Sequence, residues 1–119
     1  MVVNYKELKF FQKAHDFTKE IYKVTSEEFP KEELYSLVQQ IRRASVSIGS
    51  NIAEGSVKGE VEFKRFLQIA LGSAKEVEYQ LLLCKDLNYI TSKTYDRLQD
   101  LLNSIIGSLI NYMKNFSVK

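Results

Sequence analysis

Residues that build loops, disulfides or metal clusters are scarce in this chain. Its 119 residues include one proline, five glycines, one cysteine, one histidine and no tryptophan. The shortage of turn residues argues against a loop-rich or all-β architecture, which needs frequent turns. The single cysteine, Cys84, excludes an intramolecular disulfide and a cysteine-based zinc cluster, and it is typical of a reducing compartment.

Long apolar runs and a strong charge bias are also lacking. The longest apolar run, 81–84, has four residues, which is too short to span a bilayer. The N-terminal segment carries Lys6, Glu7 and Lys9 and lacks the apolar core of a signal peptide. Seventeen Lys and Arg residues against fifteen Asp and Glu residues give a net charge of +2, a weaker bias than dedicated nucleic-acid binders usually show. We therefore expect a cytoplasmic protein without a membrane segment.

Four segments instead repeat apolar residues with the period of an α-helix. Their apolar stripes cover 10–24, 34–52, 63–84 and 95–113. The first helix ends at Phe29–Pro30, because the residue before a proline is kept out of the helical region. The second helix is predicted from Leu34 or Leu37 to Ala53, and Gly55 is a plausible stop.

The third and fourth helices complete the predicted fold. The third helix is predicted over about Glu60–Leu87, and Ser92 or Thr91 caps the fourth. Connections of a few residues between helices of about 18 to 28 residues imply antiparallel neighbours. The chain is also too short to build two cores. The sequence therefore predicts a single all-α domain over residues 1–119, an antiparallel up-down-up-down four-helix bundle.

Two helical stretches carry no charge at all. Ten successive residues, 44–53, lie uncharged between Arg43 and Glu54, and thirteen more form the stretch 101–113. Free helix faces normally carry Lys and Glu, which are soluble and favour the helix. We therefore expect these faces to contact another helix of the bundle or a second subunit. The predicted oligomer-interface residues are Ser47, Ser50, Asn51, Glu54, Asn103, Gly107, Ser108 and Asn111.

A polar stripe follows the second helix. Ser36, Gln40, Arg43, Ser47 and Glu54 project within about 60° of one another. Arg43 and Glu54 lie about 16 Å apart along the axis, so they cannot pair within the helix. Two interpretations stay open: the charges pair with another helix or subunit, or the stripe is a solvated face.

Two runs in the same helix carry a family resemblance. Residues 42–48 read RRASVSI and residues 51–55 read NIAEG. Together they resemble the central motif of the bacterial four-helix-bundle proteins encoded in intervening sequences of 23S rRNA genes. The accessory proteins of diversity-generating retroelements are similar. The likeness continues into the third helix through Glu62–Phe63, Phe66–Leu67, Ile69–Ala70, Gly72–Ser73 and Glu76.

The resemblance implies an assembly but no activity. It implies a four-helix bundle that forms a homo-oligomeric ring, pentameric in known relatives. The retroelement relatives are more basic and bind nucleic acid and a reverse transcriptase, and the proteins encoded in rRNA insertions are suspected of binding RNA. Lys58 departs from the arginine that relatives often have near this position, which matters because lysine cannot make planar bidentate contacts.

The sequence contains few residues that could catalyse a reaction or bind a metal. A di-iron bundle site needs two Glu-x-x-His motifs, whereas His15 is the only histidine and Gln12 precedes it by three. We expect His15 at the surface and Cys84 as a buried structural thiol. Gly49, Gly55 and Gly59 lack the context of a phosphate loop. We predict no catalytic residue, no metal and no cofactor.

Several Lys and Arg residues on and between the second and third helices are candidates for nucleic-acid binding. Several cations there are candidate phosphate contacts, offset by nearby carboxylates such as Glu54, Glu60 and Glu62. The candidate cations are Arg42, Arg43, Lys58, Lys64 and Arg65. The sequence thus predicts a non-enzymatic oligomeric scaffold or adaptor that is a candidate binder of structured RNA or DNA. The alternative is a pure protein–protein interaction module with no nucleic-acid role.

Overall fold

Four α-helices form most of the chain that the computed structural model describes, residues 3–115. They are α1 (Lys9–Glu27), α2 (Leu37–Gly55), α3 (Glu60–Asp86) and α4 (Ser92–Lys114). Short 3-10 turns, which the periodicity does not predict, precede α1 at Tyr5–Glu7 and α2 at Lys31–Glu33. No strand occurs within residues 3–115.

The helices pack as an antiparallel bundle, which confirms the predicted fold. Each helix contacts the next in sequence, and α1 also contacts α4. The core is a continuous cluster of apolar side chains from all four helices, and Phe17, Ile48, Leu67 and Leu102 are at most 1% exposed. The bundle measures 48 × 22 × 20 Å. None of its helices within the described residues is long and apolar enough to cross a membrane.

Side-chain oxygens fix the start of two helices. Thr91, one of the two predicted caps, accepts a hydrogen bond from the backbone N–H of Thr94 at 3.0 Å. Of the two predicted starts of α2, the structure selects Leu37, whose N–H donates to the Glu33 carboxylate at 3.3 Å. The other oxygen of that carboxylate accepts from the Tyr89 hydroxyl at 2.9 Å, and this bond raises the pKa of Tyr89.

Gly55 has a different role from the one that the sequence suggests. It is the last residue of α2, but no glycine in the described range has the positive φ of a helix stop. A Cβ at this position would lie 2.6 Å from the Phe66 Cβ and 3.0 Å from the Phe63 Cδ1. Gly55 is therefore required by the close approach of α3 to α2 and not by a turn conformation.

Candidate assembly and nucleic-acid surfaces

The two neighbouring arginines of α2 have different environments. The Arg42 side chain folds over the end of α1, where its Nε donates to Thr25 Oγ1 at 2.9 Å and its Nη2 donates to Ser26 Oγ at 3.1 Å. Its guanidinium also lies 4.5 Å from the centre of the Tyr22 ring. The side chain of Arg43 is exposed and makes no hydrogen bond or ion pair with any residue in 3–115. The fold thus uses Arg42 internally and leaves Arg43 available.

Three further candidate cations lie in the turn between α2 and α3 and at the start of α3. Lys58 and Arg65 both face the Phe66 ring, with Lys58 Nζ at 5.6 Å and Arg65 Cζ at 4.8 Å from its centre. Arg65 also forms an ion pair of 3.0 Å with Glu62. Lys64 is half-buried.

The structure therefore does not gather the five cations into one patch. Arg43 precedes the end of α2 by twelve residues, which places it about 18 Å along the axis from the turn that holds Lys58. The turn and the start of α3 carry three cations and two exposed carboxylates, Glu60 and Glu62. Its net positive charge is small.

Small polar residues at the α2–α3 contact pair within the bundle. The Ser47 and Ser73 hydroxyls share a hydrogen bond of 2.8 Å. Asn51 Nδ2 donates to the Ser47 carbonyl at 2.8 Å and to its hydroxyl at 3.0 Å. For this part of the uncharged stretch, close contact with another helix of the same chain accounts for the residue types. Ser50 and Glu54 are exposed.

The small polar residues in the uncharged stretch of α4 do not pack against another helix in the same way. Asn103, Gly107 and Asn111 are exposed, and a Cβ added at Gly107 would meet nothing within 4 Å. Asn103 accepts a hydrogen bond from Gln99 of its own helix at 2.9 Å. Ser108 lies at the α1 side, half-buried, and accepts from Lys13 Nζ at 3.2 Å. Within residues 3–115, the outer face of α4 therefore has no contact that explains its composition.

A groove between α1 and α2 is a feature that the sequence does not reveal. It has a volume of about 370 Å³, and Tyr5, Phe11 and His15 form its aromatic side. The Phe11 and His15 rings stack with centres 6.1 Å apart, and Tyr5 meets Phe11 edge-on at 4.8 Å. Tyr5 belongs to a 3-10 turn without helical periodicity, so no sequence pattern places it beside Phe11.

The candidate groups for chemistry are isolated from one another. Within residues 3–115, no three His, Cys, Asp or Glu side chains are placed to hold a metal. His15 is exposed, and Cys84 is buried, as the sequence predicts. Burial raises the pKa of the Cys84 thiol to about 12, and the charge of Glu33 adds to this shift. The thiol therefore stays protonated at neutral pH and is a poor nucleophile.

Comparisons with known proteins agree with the resemblance carried by the α2 motif. Residues 6–111 match the family model described as 23S rRNA-intervening sequence protein. A crystal structure of a protein with unknown function from the S23 ribosomal protein family of Bacteroides thetaiotaomicron has 29% identity and a TM-score of 0.82. The match covers 89% of this chain and 96% of that one. No curated protein matches.

Proposed function

We propose, from the premise that the chain belongs to the family of 23S rRNA-intervening sequence proteins, that it is a non-enzymatic scaffold assembled from several copies of itself. The outer face of α4 carries this proposal. Asn103, Gly107 and Asn111 are exposed there, where charged residues would favour both solubility and the helix. Since the part of the chain that the structure describes does not cover this face, we propose that a second copy does.

The chemistry of this face suits a close helix contact. A glycine with open space above it allows a neighbouring backbone to approach, and the flanking amides can then pair across the contact. One apolar side chain at its edge, Ile110 (39% exposed), would gain from burial. The ring of five implied by the resemblance is the stoichiometry we propose.

A bulky charge at the centre of this face tests the assembly. We expect Gly107→Glu to reduce the mass seen by native mass spectrometry or sedimentation to the 13.8 kDa of one chain. Circular dichroism should show unchanged helical content, because the side chain projects into open space in the monomer. Lys19→Glu, a charge change on the exposed side of α1, is the matched control and should leave the assembly intact. Wild-type protein that is monomeric at micromolar concentration would contradict the proposal.

Structured RNA is the partner we propose for the assembled scaffold. Lys58 and Lys64 make no ion pair within residues 3–115. One chain presents too few such cations for tight binding, but an assembly repeats them in every copy and gains affinity through multivalency. The family name concerns an insertion in an rRNA gene, and a place in the mature ribosome does not follow from it.

A salt titration separates this function from the pure protein-interaction module. We expect the affinity for a labelled RNA hairpin to fall steeply between about 50 and 200 mM salt, because several phosphates release their counterions. Lys58→Ala and Lys64→Ala should each flatten that dependence by about one unit of the logarithmic slope. A DNA hairpin of the same length tests whether the sugar matters. Absent or salt-independent binding would instead favour a protein partner.

A further inference from the structure

The outer face of α2 carries two opposite charges without partners. Arg43 and Glu54 are both exposed. The ion pairs within residues 3–115 join Arg65 to Glu62, Lys75 to Glu78 and Arg97 to Glu20, so neither charge takes part in one. Eleven residues separate them, which places them about 16 Å apart along the helix and within about 20° of the same direction around it.

The surface between these charges is small and uncharged. Ser47 and Ser50 lie there, and the Ser47 hydroxyl is already bound to Ser73. Ser50 is exposed, and Val46 beside it is 42% exposed. Side chains of this size permit a short distance between two helix axes, because that distance depends on the residues at the contact.

We propose that this face docks the α2 helix of a second copy, with Arg43 of one copy paired to Glu54 of the other. This inference rests on the proposed self-assembly and names one of its contacts. The face is complementary to itself: it has a cation at one end, an anion at the other and small residues between them. In the proposed ring of five the contact is head to tail, so each interface forms the pair once, and every copy directs Arg43 to one neighbour and Glu54 to the other.

The contacts within the chain leave this pairing open. Glu76 of α3 accepts a hydrogen bond from Gln80 Nε2 at 3.3 Å and forms no ion pair with Arg43. Arg42, one residue away, is bound to α1 and does not compete for Glu54. A pair that becomes desolvated in an interface contributes more than one exposed to water, and opposing like charges weaken association strongly.

Charge reversal tests the pairing directly. We expect Arg43→Glu alone, and Glu54→Arg alone, to weaken self-association at least tenfold, measured as the concentration of half-dissociation in sedimentation. An equimolar mixture of the two variants should associate more strongly than either variant alone, because each supplies the charge that the other needs at every interface between unlike copies. The double variant R43E/E54R should also recover, whereas the control Lys19→Glu should behave as the wild type throughout.

The outcomes separate this inference from the proposed function. A monomeric wild type would overturn both. An assembled wild type whose association is unchanged in both single variants would overturn the Arg43–Glu54 pairing and leave the assembly standing. Association that is lost in the single variants but not restored by mixing or by the double variant would also overturn the pairing. Urea unfolding of each variant shows that the monomer fold is intact.

Discussion

Gly55→Ala is expected to destabilise the fold by about 2 kcal/mol, a large effect for the addition of one methyl group. The new Cβ would lie 2.6 Å from the Phe66 Cβ, an atom fixed to the α3 backbone that no side-chain rotation can move away. The two helices would have to separate locally and loosen their packing around Phe63 and Phe66. The higher helix propensity of alanine, up to about 1 kcal/mol, offsets only part of this loss.

Urea denaturation followed by circular dichroism measures the effect. We expect a lower midpoint with an unchanged slope, and a thermal midpoint lower by roughly 8 °C for a domain of this size. Gly72→Ala is the matched control, since a Cβ at this α3 position meets nothing within 4 Å. It should be neutral or stabilise by up to about 1 kcal/mol. Equal losses in both variants would show that Gly55 is not the point of closest approach.

The contrast between these glycines shows what a sequence pattern can and cannot predict. Periodicity predicts the four helices, and their bounds agree with the structure within a few residues, because burying one apolar stripe per helix dominates the choice of fold. A glycine near a predicted helix end is usually a stop, so the same rule suggests this role for Gly55. Its actual role depends on Phe66, which belongs to another helix and is invisible to local rules.

The candidate surfaces divide in the same way. The lack of charge over 101–113 is visible in the sequence. The structure shows that the outer face of α4 in this stretch is not covered by the described residues 3–115. Part of the similar stretch 44–53 faces its own bundle, where Ser47 binds Ser73 of α3, a residue distant in the sequence. The groove beside Phe11 depends on a 3-10 turn that has no periodic signature. The composition therefore predicts which helix faces are unusual, but only the packed structure shows which residues lie against them.

The two adjacent arginines give the second large prediction. Arg42→Ala should lower the free energy of unfolding by about 1–2 kcal/mol, because it removes charge-assisted hydrogen bonds to Thr25 and Ser26 and the stacking on Tyr22. Arg43→Ala should change it by less than about 0.5 kcal/mol, since that side chain has no hydrogen-bond or ion-pair partner among residues 3–115. Chemical denaturation of both variants under one set of conditions measures the difference.

Arg42→Lys tests whether geometry or charge is responsible. Lysine keeps the positive charge but cannot bind Thr25 and Ser26 with separate planar donors, so most of the loss should remain. Full stability in this variant would contradict the role of the guanidinium. The same pair of residues also decides how binding experiments are interpreted. A loss of RNA affinity in Arg42→Ala would reflect a weakened contact between α1 and α2, whereas a loss in Arg43→Ala, whose side chain is also proposed to pair with Glu54 of a second copy, would reflect weakened self-association.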